Sequence, residues 1–525
     1  MARKPEPPKP PESARELIVM VRPDAGMRAS RSRVESVTGQ KTTSIRDILK
    51  DNKAVMMPLF GPNEERVITR TRSEAETAEM PLEDLSVFYR VEADEERLDE
   101  IGGKLFEQEL VEAAYVKPAS SPPVGPPEDG TAAPDTPDAA PPLTANFEAR
   151  QGYLDAPPTG VNARWAWTRT NGTGDGVRIV DIEGAWRFTH EDLVTAQAGV
   201  VGGIQFNDLG WRNHGTAVLG EFSGDPNPFG ITGIAPDAIA MAVAIGGIGT
   251  SAAINAGAAR LSAGDVMLIE LHRPGPQFNF EGRGDQRGYI AIEWWPDDYA
   301  ALLNATRRGI LVVEAAGNGA ENLDDDIYEN RPAGFPATWR NPFRRVNRDS
   351  GCIVVGAGAP PPGTHGRDHG PDRSRLDFSN YGDIIDCQGW GREVTTCGYG
   401  DLQGGPDEDL WYTDRFSGTS SASPIIVGTV AGVVGMAVDY GRPVPTPAQM
   451  RNALRTTGSP QQDAPGRPVT QRIGTRPDME ALAKAVYGSK SFLKDLADKS
   501  REMPVAEKTK KKGKASKKKK KKAKV

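Results

Sequence analysis

Five apolar runs recur along the middle of the chain, and polar or amphipathic stretches separate them. The runs cover residues 177–181, 239–245, 266–270, 310–318 and 352–359. Continuous apolar runs of this length are typical of strands that are buried on both faces. Helix-like stretches such as TAVLGEF, SAAINAGAARL and DYAALLNATRRG lie between them. The pattern therefore predicts an α/β fold in which helices cover both faces of a parallel sheet.

A longer stretch near the C-terminus is apolar on every side. It runs SASPIIVGTVAGVVGMAVDYG over residues 421–441 and contains small residues throughout. A helix without a polar face belongs in the centre of a core, so we expect a buried helix here. Helices in TPAQMRNALRTTG and PDMEALAKAVYG are predicted to complete this domain.

The flanks differ from this centre in composition and divide the chain into five parts. We expect a disordered N-terminus (1–14), a small α+β domain (15–117), a Pro/Ala-rich linker (118–145), the α/β domain (146–488) and a basic disordered tail (489–525). The small domain should contain strands in ELIVMV, SVFYRV and VEAAYV and a helix in EERLDEIGGKLFEQ. The linker consists almost entirely of residues that cannot form a core.

The distribution of charge and the cysteine content limit which partners the tail can bind and whether disulfides are expected. The net charge is −7, yet twelve lysines and no acidic residue follow Glu507, so the rest of the chain is strongly acidic. The tail lacks interleaved aromatic residues, which excludes a sequence-specific nucleic-acid reader; it either contacts anionic surfaces by charge alone or is simply solvated. The three cysteines favour free thiols over a disulfide framework.

Targeting signals are not evident in the sequence. The apolar run LIVMV near the N-terminus is too short for a signal-peptide core, and no run approaches 18 consecutive apolar residues. We therefore expect no transmembrane span and synthesis in the cytoplasm, with secretion without a standard signal peptide left open.

Four positions combine into a candidate catalytic set. Asp181 and Asn318 end apolar strands, His214 opens a helical stretch, and a serine cluster at 420, 421 and 423 opens the buried helix. Each alone has an ordinary structural explanation as a cap, a turn or a packing residue. Together, the order Asp, His, Ser is one of the chain orders known for acyl-transfer triads.

The chemistry requires these residue types. A serine hydroxyl becomes a nucleophile when a neutral imidazole takes its proton, and a carboxylate on the far ring nitrogen fixes the tautomer. An amide side chain and a backbone N–H at the start of a helix can then stabilise the oxyanion.

Four segments resemble the signature blocks of the subtilisin-like serine peptidases: DIEGAWRFTHEDL, NHGTAVLG, VVEAAGNG and FSGTSSASP. The resemblance extends over about residues 146–488. It implies a three-layer sandwich with a mainly parallel central sheet. It also implies roles for four residues: Ser420 as nucleophile, His214 as general base, Asp181 as its orienter and Asn318 as oxyanion donor.

The sequence departs from the family pattern at several positions. Glu183 lies two residues after Asp181 and competes with it as orienter, but Asp181 is preferred because it ends the apolar run. Ser421 replaces an apolar residue, and we have no account of its hydroxyl.

The expected substrate channel also departs from the family. It carries His272, Arg273 and Pro274, and the proline removes a backbone N–H that could pair with an extended peptide. The resemblance adds Ala316 and Gly317 as substrate contacts. Glu270 and Glu314 near this channel either favour basic side chains or are buried structural carboxylates.

The resemblance also bears on regulation and cofactors. Residues 15–117 are similar in pattern to the family's propeptides, although an unrelated regulatory module is the alternative. We therefore expect a serine endopeptidase that acts on proteins or peptides and is inhibited by its own N-terminal domain. A catalytically silent peptide-binding protein is the alternative. No cofactor is expected; a structural calcium at Asp324–Asp326 is one alternative, and a metal at His365 and His369 is disfavoured.

Overall fold

The computed structural model describes residues 13–76, 78, 80–125, 143–439 and 441–488 of the 525. Most of the expected N-terminal disordered segment and linker, and all of the basic tail, therefore lie outside the described residues.

The N-terminal region forms a small α+β unit around an antiparallel sheet. Its strands are β1 (Glu16–Val21), β2 (Met27–Ser30), β3 (Arg33–Ser36), β4 (Val55–Pro58), β5 (Phe88–Glu92) and β6 (Val111–Lys117). Its helices are α1 (Thr43–Asp51), α2 (Glu64–Ala75) and α3 (Leu98–Phe106). Four strands pair in the order β4-β5-β1-β6, and β2 and β3 form a separate hairpin. The three strands and the helix predicted for this region are all present.

A seven-stranded parallel sheet forms the centre of the larger body. Its members are β7 (Arg178–Glu183), β8 (Gln197–Gly202), β9 (Ile239–Ala244), β10 (Val266–Ile269), β13 (Leu311–Ala315), β14 (Ile353–Gly358) and β15 (Cys387–Trp390). Strands β11 and β12 lie between β10 and β13 in the chain and pair with each other outside this sheet. The order is β15-β14-β13-β10-β7-β9-β8, and every pair in it is parallel. This confirms the predicted α/β class and its parallel sheet.

Two short hairpins and seven helices complete the body. The hairpins pair β11 (His272–Pro274) with β12 (Tyr289–Ala291), and β16 (Val394–Cys397) with β17 (Tyr412–Phe416). The helices are α4 (Ala163–Trp167), α5 (Leu209–Ser223), α6 (Thr250–Ala258), α7 (Pro296–Arg307), α8 (Thr419–Asp439), α9 (Pro447–Thr456) and α10 (Met479–Tyr487).

Both faces of the central sheet are buried. Along β10, Met267 and Ile269 belong to one hydrophobic core, and Val266 and Leu268 belong to the other. Helices therefore cover the sheet on two sides, as the continuous apolar runs predict and as a three-layer sandwich requires.

Helix α8 is the central helix expected from the sequence. Within the described chain it is the one helix long and apolar enough to cross a membrane, with a mean hydropathy of 1.8 over Thr419–Val438. However, 94% of that stretch is buried inside the protein, so its apolar surface serves the core.

The N-terminal unit is joined to the body by a buried ionic contact. Lys117 at the end of β6 is fully buried, and its Nζ lies 2.5 Å from Asp297 and 3.1 Å from Asp298 at the start of α7. Glu16 of β1 lies 3.3 Å from the same nitrogen. The next eight residues lead from this contact across the body to the site described below.

Candidate active site

Ser420 is the second residue of α8, at the C-terminal edge of the central sheet. Its side chain is buried, and its hydroxyl donates to the carbonyl oxygen of Pro123 at 2.8 Å. Gly418 precedes the helix with φ +116°, and a Cβ there would lie 2.0 Å from the same Pro123 oxygen. A glycine is therefore required for another backbone to approach the serine this closely.

His214 lies on α5, and its Nδ1 is 2.7 Å from Oε1 of Glu183. Its ring packs against Phe416, which lies just before α8, with ring centroids 5.4 Å apart. Its Nε2 is buried and has no hydrogen-bond partner among the described residues. The imidazole is thus bonded to the Glu183 carboxyl group on one side and packs against Phe416, which precedes α8, on the other.

The position of Asp181 corrects the sequence prediction. Asp181 makes no hydrogen bond with His214 in the described residues; its Oδ2 accepts a hydrogen bond from Trp186 Nε1 at 2.7 Å, and its Oδ1 has no hydrogen-bond partner there. Strand β7 continues two residues beyond the predicted end, so Glu183 is its last residue and reaches the sheet edge. The side chains of Asp181 and Glu183 point to the same face of the sheet, but Asp181 lies two residues further from the C-terminal edge.

Burial decides the charge state of this pair. It lowers the pKa of His214 to about 3 and raises the pKa of Glu183 well above its usual value. Burial, with the nearby Glu183 charge, also raises the pKa of Asp181 well above its usual value. While the site is covered, burial therefore favours the neutral form of both His214 and Glu183.

Two further carboxyl groups are buried near this pair. Burial, followed by the nearby Asp181 charge, raises the pKa of Glu270, and burial raises that of Glu221. Glu270 accepts a hydrogen bond from the Ser423 hydroxyl, so it is a buried structural group in this structure and is not exposed in a channel. Both oxygens of Glu221 lack hydrogen-bond partners among the described residues.

Asn318 follows β13 and lies beside the start of α8. Its Oδ1 accepts from the backbone N–H of Thr419 at 2.9 Å and from the Thr419 hydroxyl at 3.0 Å. These two donors fix the amide orientation, so Nδ2 points away from them and donates to Gln286 Oε1 at 3.2 Å. The preceding Gly317 has φ +94°, a conformation that favours glycine at the end of the strand.

A segment of the chain itself, Ser120–Gly125, lies across Ser420. Ser121 and His272 exchange both backbone hydrogen bonds at 3.1 Å, as residues of antiparallel strands do. Further along, the Gly125 N–H donates to the Ser417 carbonyl at 3.1 Å, and Val124 pairs with Gly418. The site is therefore covered by a peptide that pairs with its rims on both sides of the serine.

The residues predicted to contact substrate divide into two groups. His272 pairs with the covering segment through its backbone, and Pro274 lines the adjoining groove of about 1080 Å³. The side chain of Arg273 is buried, and it donates to the Pro118 carbonyl and to Thr250. Ala316 and Gly317 are bonded within the body, to the Asn380 side chain and the Thr419 hydroxyl respectively.

The structure accounts for the serines that surround Ser420. The Ser421 hydroxyl donates to the carbonyl of Trp390 at 2.9 Å and lies 3.1 Å from that of Gly418, so it ties α8 to β15. The Ser423 hydroxyl donates to Thr419 and to Glu270. Neither hydroxyl faces the covering segment.

The positions considered for metals have protein partners. His365 bonds to the Arg150 carbonyl and His369 to Glu393, while Arg344 lies 3.7 Å from both Asp324 and Asp326. Within the described residues, one other group has suitable donor atoms: Glu293, Glu314 and Cys352 have donors within 4.8 Å of one another. All three are buried, and Ser350 and a backbone N–H already donate to the carboxyl groups. The three cysteines are all free.

Comparison with known proteins identifies the family. The model of the subtilase family of peptidases matches residues 203–475, just over half of the 525 residues. The chain belongs to the subtilase family. The match includes His214, Asn318 and Ser420, but it begins after Asp181 and Glu183, where the sequence departs from the family pattern.

Individual subtilases are similar at low identity. The alkaline protease of Alkalihalobacillus alcalophilus is 26% identical over 294 residues, 55% of this chain and 60% of that protein. Subtilisin BL of Lederbergia lenta is 27% identical over 294 residues, 55% of this chain and 85% of that protein. The chain therefore spans less than two thirds of the first relative's length.

A solved structure supports the same fold. The epidermin leader peptide processing serine protease of Staphylococcus aureus superposes with a TM-score of 0.51 and 14% identity, over 91% of this chain and 100% of that one.

Proposed function

We propose that this subtilase is a serine endopeptidase that hydrolyses peptide bonds through an acyl-enzyme. Ser420 is the nucleophile, His214 the general base, Glu183 its orienter and Asn318 an oxyanion donor. One observation carries the proposal: a peptide segment already lies across the Ser420 hydroxyl and pairs with the site rims through its backbone. A site that binds a main chain in this way suits proteins and peptides as substrates.

The proton path follows from the hydrogen bonds. When water or substrate reaches the site and Glu183 ionises, the Nδ1–H of His214 donates a hydrogen bond to the Glu183 carboxylate, and the unprotonated Nε2 can accept a proton. Nε2 takes the Ser420 proton as Oγ attacks the carbonyl carbon, and then gives that proton to the leaving amine. A water molecule repeats the sequence on the acyl-enzyme.

Asn318 is arranged to stabilise the oxyanion. The amide oxygen of Asn318 accepts from Thr419, so Nδ2 points the other way. One hydrogen of Nδ2 is donated to Gln286, and its second hydrogen can be donated to an oxyanion. Loss of a single such donor typically costs about 3–4 kcal/mol of transition-state stabilisation.

Self-inhibition by the N-terminal region is part of the proposal. The covering segment continues directly from β6, so the N-terminal unit and the obstruction are one chain. Access of another peptide to Ser420 requires Ser120–Gly125 to leave. The linker after residue 125 supplies chain that can be cut to permit this.

The alternative is a silent peptide-binding protein with the same fold. Reaction with a fluorophosphonate, which labels an activated serine covalently, separates the two. Because the segment covers Ser420, the full chain should be compared with Gly125→Val, in which added carbons meet Ser417 Oγ at 2.6 Å and dislodge the segment.

The peptidase proposal expects faster labelling of Gly125→Val than of the wild type, with the label mapped to Ser420. In the Gly125→Val background, Ser420→Ala should abolish labelling and Ser421→Ala should keep it. A Gly125→Val protein that is folded, open to proteolysis at residues 118–125 and still unlabelled would favour the silent binding protein.

A further inference from the structure

We propose that Pro122 and Pro123 make the covering segment resistant to the enzyme that it inhibits. The covering segment Ser120–Gly125, called the plug below, then contacts Ser420 without being cleaved by it. Activation requires cleavage at another position in the chain. This inference rests on the proposed peptidase function.

The segment turns sharply at the bond nearest to the serine. The Val124 N–H donates to the Pro122 carbonyl oxygen at 2.9 Å, which closes a three-residue turn centred on Pro123. A proline ring holds φ near −65°, close to the value that the centre of such a turn requires. Proline at 123 therefore fits the bent form, and without an N–H it cannot pair with a neighbouring strand as an extended residue does.

The bent form does not meet the needs of peptide cleavage. Cleavage forms a bond between Ser420 Oγ and the Pro123 carbonyl carbon and breaks the bond to the Val124 nitrogen. The serine proton must pass to His214 Nε2 and from there to the Val124 nitrogen.

In the structure, neither the serine proton nor the Val124 nitrogen is directed toward His214. The Ser420 hydroxyl donates to the Pro123 oxygen, and the Val124 N–H is directed back to Pro122. His214 Nε2 meanwhile has no hydrogen-bond partner among the described residues. A misplacement of about 1 Å in such an arrangement can lower a rate about 100-fold.

Few backbone contacts are available to straighten the turn. Pro122 and Pro123 have no N–H, and on the opposing strand Pro274 has none either, so backbone pairing with β11 is limited to Ser121 and His272. Gly125 is fixed on the far side by its bond to Ser417. The plug is thus anchored at both ends around a bend.

Substitution of the bend tests the inference in the full chain. We expect the wild type to remain intact between residues 123 and 124 on intact-mass analysis. Pro123→Ala should be cut at that bond about 100-fold faster, because alanine supplies the backbone N–H and the freedom of φ that an extended, strand-paired chain uses. The cut should disappear when Ser420→Ala is added, and Pro118→Ala, a proline outside the turn, should behave as the wild type.

A second measurement avoids dependence on folding of the variant. Synthetic KPASSPPVG (residues 117–125) and the same peptide with Pro123 replaced by alanine are offered to the Gly125→Val enzyme. The first should inhibit without being cut, and the second should be cut after the new alanine.

Two results would overturn the inference. The first is cleavage of the wild type between Pro123 and Val124 that disappears in Ser420→Ala. The second is that the Pro123→Ala chain and the alanine peptide both stay uncut although Gly125→Val reacts with fluorophosphonate. Failure of Gly125→Val to react would instead contradict the proposed function.

Discussion

At the residue scale, the hydrogen bond between His214 and Glu183 sets the chemistry. Both groups are fully buried while the plug is present, and burial favours the neutral form of each. A neutral imidazole is ready to act as a base. A protonated Glu183, however, cannot hold the Nδ1 proton in place, so under the proposed mechanism we expect activity to require ionisation of Glu183.

This predicts the pH dependence of the reaction. Because the pKa of Glu183 is raised, activity of Gly125→Val should rise with pH, with an acid limb above the ordinary glutamate value of about 4.3. Asp181→Asn keeps Glu183 and its hydrogen bond to His214 and should therefore retain that limb. Fluorophosphonate labelling rates from pH 4 to 9 measure this; a rate that does not rise with pH, or a limb that is lost in Asp181→Asn, would contradict it.

At the level of single residues, the structure differs from the sequence prediction in one contact, and the roles predicted for Ser420, His214 and Asn318 stay predictions. Ser420, His214 and Asn318 gather at one sheet edge, where the ends of parallel strands meet. The end of the apolar run favours Asp181 over Glu183, but strand β7 extends to Glu183 in the structure. The alternation of side chains offered a signal, since residues 181 and 183 share a face and the later one lies nearer the edge.

At the level of the secondary-structure elements, helix α5 carries a buried carboxyl group in addition to His214. Glu221 lies two turns beyond His214, is fully buried and lacks hydrogen-bond partners among the described residues. Burial raises its pKa well above the usual value, so the folded protein keeps a proton that the unfolded chain releases. Stability is therefore lost as pH rises from the unfolded pKa toward the folded one.

Replacing Glu221 should reduce this loss. Each pH unit in that interval costs about 1.4 kcal/mol per group, so Glu221→Leu should lessen the fall in unfolding free energy between pH 5 and 8. Urea unfolding at the two pH values measures it, with the exposed Glu65→Leu as control. An identical fall in wild type and Glu221→Leu would show that Glu221 is not protonated in the folded state.

Elements were predicted best where composition was extreme. The apolar runs gave five of the seven central strands, and α8 followed from its lack of a polar face. Strands β8 and β15 were missed because QAGVVG is half exposed and CQGW is short, so neither has a clear apolar run. Tertiary pairing with β9 and β14 supplies what their own sequences do not.

At the level of the whole molecule, the covering segment begins close to the buried ionic contact of Lys117, which lies six residues before Pro123. This buried ammonium group is shared by Asp297 and Asp298 of the body and Glu16 of the N-terminal unit. Removing one member of such a group leaves buried charge unpaired and typically costs about 3–5 kcal/mol. The N-terminal unit and the plug should therefore be released together.

Lys117→Met should loosen the plug without a change in the catalytic residues. We expect faster fluorophosphonate labelling of the full chain than in the wild type. Lys104→Met removes an exposed lysine of α3, whose partner Glu100 is one helical turn away, and serves as the control. Unchanged labelling in Lys117→Met, with acceleration in Gly125→Val, would show that the ionic contact does not hold the plug.

We propose that Glu183, in place of Asp181, completes the catalytic set with His214 and Ser420. Measurement of kcat/KM for peptide hydrolysis by Gly125→Val that carries either Glu183→Gln or Asp181→Asn distinguishes the two carboxyl groups. We expect Glu183→Gln to lose about 10⁴-fold through the wrong histidine tautomer, and Asp181→Asn to stay within about tenfold of its parent at alkaline pH. The reverse order, with Asp181→Asn inactive and Glu183→Gln active, would contradict the account.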